Sequence, residues 1–219
     1  MKSAIRTDWK IPLALLALSA IPCAAGVARM AGLASNTAFN GDSERFISSP
    51  VPVILHIIGA GLFSLLGAMQ FSPGLRQRYP QWHKVSGRVV AASGVVAALS
   101  GIWMTVMYPI PAALQGDLLF GVRLLAGTSM LMSIVLAVTA VMHRDFAGHR
   151  AWMIRGYSLG QGAGTQVVVL LSWMLIMGTP SALQRDVLMS LAWLINLAVA
   201  EMLIKKHFFE IPRFYKATQ

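Results

Sequence analysis

Charge is scarce in this chain of 219 residues. Asp, Glu, Lys and Arg together make 12%, against roughly 25% in an ordinary soluble domain. Cysteine is nearly absent, and the single Cys23 excludes an internal disulfide or a cysteine-held metal cluster. Acidic residues are fewer than basic ones, 8 against 18, for a formal net charge of +10. In a soluble chain that excess would suggest nucleic acid as a partner. Here the basic residues stand in short connections between long apolar runs, where they report orientation in a membrane, and nucleic acid is excluded as a partner. No Walker, Rossmann, zinc-protease or Ser-His-Asp pattern is present, which removes the soluble catalytic folds.

What is there in quantity is apolar residues, 56% of the chain. A helix crosses a hydrocarbon core of roughly 30 Å with about 20 mostly apolar residues. Six runs qualify: Ile11–Leu33, Pro50–Phe71, Val85–Tyr108, Leu118–Met142, Ala151–Gly178 and Val187–Ile204. The reading is an all-α integral membrane protein of six transmembrane helices, one domain over residues 1–219, with the lipid bilayer as its first partner. Lys2, Arg6 and Lys10 ahead of the first run resemble a signal peptide. That run continues to Leu33, however, and Pro22 precedes Cys23, so the segment is read as an uncleaved anchor.

Fourteen of the basic residues fall on one side of this arrangement: Lys2, Arg6 and Lys10; Arg76, Arg78, Lys84 and Arg88; Arg144, Arg150 and Arg155; Lys205, Lys206, Arg213 and Lys216. Only Arg29, Arg45, Arg123 and Arg185 fall on the other. Both termini are therefore expected in the cytoplasm, and the protein in the inner (cytoplasmic) membrane. The aromatic and basic tail HFFEIPRFYK is expected along the inner membrane surface.

The charged stretch HRDFAGHRAWMIR, from His143 to Arg155, reads as a loop between two apolar runs and has an echo 66 residues earlier. Arg78, His83 and Lys84 stand at the spacing of Arg144, His149 and Arg150, and Gly94 falls on Gly160. A two-helix unit used twice, over 50–115 and 116–181, would form a core of helices two to five from parallel repeats. An N-terminal anchor and outer loop (1–49) and a last helix with its tail (182–219) would flank it. The repeat puts His83 and His149 at one depth.

Two constellations could carry chemistry. In the inner one, Gly87, Gly94, Ala98 and Gly101 fall near the helical face of His83, and Gly156, Gly160 and Gly164 near that of His149. Two imidazoles above such a slot would suit a bis-histidine haem b. The same small residues serve equally as a close helix–helix seam. Around the pair stand Gln70, Arg76, Arg88 and Arg155, as partners for propionates, lipid phosphates or a quinone head group. The outer constellation is His56 and Arg123, each about 10 Å within an apolar run by the helical rise. Ionisable groups at such depth face a protein interior or a polar cavity by default, while snorkelling of Arg123 to the surface is the alternative. His143 and His207 read as solvated, Gln161, Gln166 and Asn196 as interhelical hydrogen-bonding residues, and Glu201 as the partner of a basic neighbour.

The run HIIGAGLFSLLGAMQFSPGLRQRYPQWHKVSGR, followed by HRAWMIR, resembles the bacterial membrane-protein family catalogued as domain of unknown function 2306. The match joins His56, Gln70-Phe71, Arg76, His83, Gly87-Arg88 and His149-Arg150-Trp152-Met153-Arg155 in one order. It implies a fold and a place in the membrane. A weaker likeness is to the two-haem transmembrane cytochromes b. There, histidines of the first and third core helices hold an outer haem and those of the second and fourth an inner one. His83 and His149 match the inner pair, His56 matches one outer ligand, and the opposite position carries Val122 and Arg123. Three functions stay open at this point. The protein is a haem b electron-transfer protein exchanging electrons with a quinone or another membrane redox partner; or it binds or transports an anion, a quinone or a lipid head group at His56 and Arg123; or it is an accessory membrane subunit.

Overall fold

Proline opens three of the helices at their first position, where its missing N–H costs nothing and its fixed φ suits the turn. These are Pro50 of α3 (Pro50–Gln70), Pro73 of α4 (Pro73–Arg78) and Pro80 of α5 (Pro80–Met107). The computed structural model describes residues 9–35 and 44–209, and adds α1 (Lys10–Ala34), α2 (Glu44–Ser48), α6 (Asp117–Met142), α7 (Phe146–Gly160), α8 (Gly162–Met177) and α9 (Ala182–Phe209). Among the described residues every regular element is helical, as lipid requires of a chain that must satisfy its own backbone groups. Lys2, Arg6, Asp42, the side chains of His207, Phe208 and Phe209, and the tail from Glu210 onward lie outside the described residues.

Five helices are long and apolar enough to cross a membrane: α1, α3, α5, α6 and α9. The expected single span Ala151–Gly178 is instead the pair α7 and α8, bent by 43° at Gln161. Neither half reaches across alone, since 15 or 16 residues rise only about 22–24 Å. The bend has a local cause. Gln161 stands between Gly160 and Gly162, and the indole of Trp193 in α9 packs straight onto Gly162, where a Cβ would sit 2.1 Å from its Nε1. Carbonyls at the break are supplied with donors from α9: Trp193 Nε1 to Leu159 O at 3.1 Å, and Asn196 Nδ2 to Ser158 O at 3.0 Å.

The stretch read as a loop from His143 to Arg155 is mostly helix. Only His143, Arg144 and Asp145 connect α6 to α7. Arg144 adopts φ 63° and stops α6, its N–H reaching Val141 O while that of Asp145 reaches Ala140 O. This is the double hydrogen bond of a Schellman ending. Asp145 then caps α7 through Gly148 N.

α3 packs on α5, α5 on α6, α6 on α7, and α7 closes back on α3, while α1 and α9 flank this core. Lipid tails are as apolar as leucine, so close packing and interhelical hydrogen bonds must hold these helices together. Phe63 of α3 is the centre of the core, 1% exposed. Its ring lies against Gly94 of α5 and Gly160 of α7, where Cβ atoms would come within 2.6 and 2.5 Å. Buried serines of α5 turn their hydroxyls back to their own helix: Ser93 to Val90 O, Ser100 to Val96 O. Past the bend α8 leaves the core and lies on α1 and α9, with Gly164 against the backbone of Leu18.

Candidate functional site

At the end of the core that carries His83 and His149, aromatic rings fill the interior. Tyr157 stacks between Phe63 and Phe71, at 5.5 and 4.9 Å between centroids, and lies on Gly67. Its hydroxyl donates to Ser64 O at 2.8 Å and accepts from Gln161 Nε2 at 2.7 Å. Gln161 also bonds Ser19 of α1, so a buried polar chain ties α1, α3 and the bend together.

His83 and His149 are each the fourth residue of their helices, α5 and α7. They are near enough to act on each other electrostatically, with Arg76 a second neighbour of His83. His149 Nδ1 donates to Ala137 O at 2.9 Å, whereas His83 Nδ1 is buried with no hydrogen bond. The slot expected beneath them is not there. Gly94 and Gly160 hold Phe63, Gly156 lies on Ser133 and Ile134, Gly101 on His56, and Gly164 on Leu18. The small residues form the packing seam that was the other reading of the same pattern. A flat macrocycle does not fit between α5 and α7 along those faces. Nor does any group of three or more His, Cys, Asp or Glu suited to a metal ion occur among the described residues.

Of the four residues expected around the pair, Arg76 stays beside His83, and the other three turn to other partners or to the surface. Gln70 bonds Ser86 at 2.7 Å across α3 and α5. Arg76, on α4, is half-buried, and burial first, then Arg150, holds its guanidinium below the usual range. Arg88 is exposed on α5 between exposed Val85 and Val89. Arg155 turns to α9, paired with Glu201 at 2.6 and 3.0 Å and stacked 4.6 Å over Trp152. Glu201 thus has the basic partner expected of it, and Gln161, Gln166 and Asn196 do make interhelical bonds. His143 is exposed.

The opposite end of the core is open. Because α8 departs at the bend, it stands off from α3, α5 and α6, and a cavity of about 510 Å³ remains between them, closed by Ala163, Gln166 and Leu170 of α8 and by Met189 and Trp193 of α9. Its floor is apolar, with Phe63, Ala97, Ala98, Met130, Leu159 and Gly160. His56 and Arg123 both line it, from α3 and α6 on either side of α5. Sequence reasoning paired these two and left two orientations open for Arg123; its guanidinium bonds Gln115 within the protein.

The rest of the rim was not foreseen. Arg45, Arg185 and Tyr108 also line the cavity. Phe46 of α2 sits edge-on to Tyr108, 5.4 Å between centroids, beneath the guanidinium groups of Arg29 and Arg45. Burial pushes the Tyr108 phenol above its usual range, and its hydroxyl donates to Ser49 O at 2.6 Å. Asp186, 3% exposed at the start of α9, accepts from Leu119 N at 3.2 Å and Gly116 N at 3.4 Å, and so caps α6 from another helix. An acid directly ahead of an apolar run was the available signal for it. The carboxylate acts on Arg123 electrostatically, as do Arg185 and Arg45.

A bundle of long apolar helices with a polar-rimmed cavity in one half is the build of a multi-pass membrane protein. The chain belongs to the family described as Predicted membrane protein (DUF2306), which matches residues 53–204 and so takes in both constellations. No curated protein and no solved structure matches it, so the likeness to two-haem cytochromes b finds no support there.

Proposed function

We propose that this is a binding or transport protein of the inner membrane that receives an amphiphile with an anionic head in the cavity between α3, α5 and α6. The observation that carries this reading is the cavity's make-up: three arginines and a histidine at the rim over an apolar floor. Its volume falls within the roughly 300–1,000 Å³ of small-molecule sites. The nearest acid, Asp186, is engaged by the α6 backbone, which leaves the rim with surplus positive charge. Arginine in such a place favours carboxylate or phosphate oxygens.

The distribution of basic residues supports an orientation with both termini in the cytoplasm and this cavity opening outward. The parallel two-helix repeat has support in the helix starts, since Pro80 of α5 and Phe146 of α7 stand 66 residues apart. With matched helices on both sides, the bend in α7–α8 is what distinguishes the second copy.

The test is thermal unfolding of the protein in phosphatidylcholine nanodiscs with dodecyl phosphate or dodecyltrimethylammonium. Binding only to the folded protein stabilises it by about 2.7 kcal/mol at a hundred times Kd. The anionic amphiphile should raise the melting temperature and the cationic one should not, with the rise reduced in Arg123→Gln. Equal effects of both on both proteins would contradict the reading.

A further inference from the structure

The two polar poles of the cavity differ in what they offer. Ala97 O is a carbonyl and can only accept, so the His56 nitrogen 2.9 Å from it, Nδ1, carries the proton. In the neutral ring Nε2 is then a lone-pair acceptor. It has no hydrogen-bond partner among the described residues, and His56 lines the cavity. Gly101 leaves room for this ring: a Cβ there would stand 3.2 Å from His56 Cε1, close enough that the ring would have to give by a few tenths of an ångström. Across the cavity Arg123 spends an N–H on Gln115, and its remaining donors make no hydrogen bond among the described residues, with the Asp186 carboxylate acting on it only electrostatically. Arg45 and Arg185 add charge of the same sign, while Thr105 returns its proton to Gly101 O and Tyr108 donates to Ser49 O.

A ligand complementary to both poles must bring an O–H to His56 and anionic oxygens to Arg123 at once. An ionised carboxylate has charge and no O–H. A phosphodiester is in the same position, and an alcohol has the O–H without the charge. A singly ionised phosphate monoester has both. Building on the amphiphile-binding reading, we infer that the cavity takes a phosphate monoester on an apolar chain as its monoanion, the P–O–H donating to His56 Nε2 and the charged oxygens accepting from Arg123. The apolar floor takes the chain. Water-soluble phosphate has the same head and lacks the chain, so the two sources are separable.

The experiment compares dodecyl phosphate with dodecyl methyl phosphate, equal in charge and tail and differing in the O–H. Binding to the full-length protein in phosphatidylcholine nanodiscs is measured at a pH of about 5.5, below the second ionisation of a phosphate monoester near 6. The monoester should bind about tenfold more tightly, the worth of one well-made hydrogen bond. The preference should vanish in His56→Leu and persist in Arg123→Gln, where both ligands weaken. Inorganic phosphate should compete only weakly. Equal binding of the two dodecyl ligands to the unaltered protein would overturn the monoester inference and leave the amphiphile reading standing. Binding of neither, or inorganic phosphate competing as well as the dodecyl compound, would overturn the amphiphile reading itself. The ligand comparison on the unaltered protein decides the matter even if His56→Leu fails to fold.

Discussion

The two halves of the four-helix core are built from the same helices and end differently. Around His83 and His149 the interior is closed by Tyr157, Phe71 and Phe63, each set into a glycine or against another ring. Around His56 and Arg123 it is hollow and cationic. α3, α5 and α6 run unbroken through both halves, so they do not by themselves produce the contrast. Its source is the fourth helix, which continues the core as α7 and leaves it as α8 at Gln161. A histidine therefore means different things in the two halves. His149 spends its proton on Ala137 O beside filled space, while His56 spends its own on Ala97 O at the wall of a cavity.

The contrast breaks most forcefully at the closed end. A Cβ at Gly94 would stand 2.6 Å from Phe63 and 2.7 Å from Ile134, so Gly94→Leu should cost about 1–3 kcal/mol or prevent folding, read by thermal unfolding. Tyr157→Phe removes the hydroxyl between Ser64 O and Gln161 and should cost about 1 kcal/mol by the same measurement. Arg144→Gly should raise stability by up to about 1 kcal/mol, because the residue ending α6 sits at φ 63°, where a side chain is unfavourable. Arg155→Ala should cost under about 1 kcal/mol, its pair with Glu201 being 27% and 42% exposed. Ala163→Leu places bulk in the open end and should leave stability within about 0.5 kcal/mol while abolishing the shift given by dodecyl phosphate.

Hydropathy made the helices legible, since crossing lipid demands runs that soluble folds lack. That His56 and Arg123 line one cavity was legible for a related reason: ionisable groups that deep need a polar interior. The glycine stripes of α5 and α7 were visible and their use was not. A stripe records that something comes close, and only the placement of Phe63 says that the close thing is a ring of the protein's own. The break at Gly160-Gln161-Gly162 had its signal in those residues, but apolar sequence continues through it, so hydropathy counted one span. Arg185 and Arg45 reach the cavity by long-range packing of α9 and α2, which no local pattern encodes.

The claim that this cavity is an accessible binding site is tested most directly by chemical labelling. Cys23 is the only cysteine, so a protein carrying Cys23→Ser and Ala163→Cys has a single thiol at the cavity wall. A small charged methanethiosulfonate reagent applied from outside the cell should modify that thiol, and dodecyl phosphate should slow the reaction. A thiol that does not react, or reacts at the same rate with and without the ligand, would contradict the account.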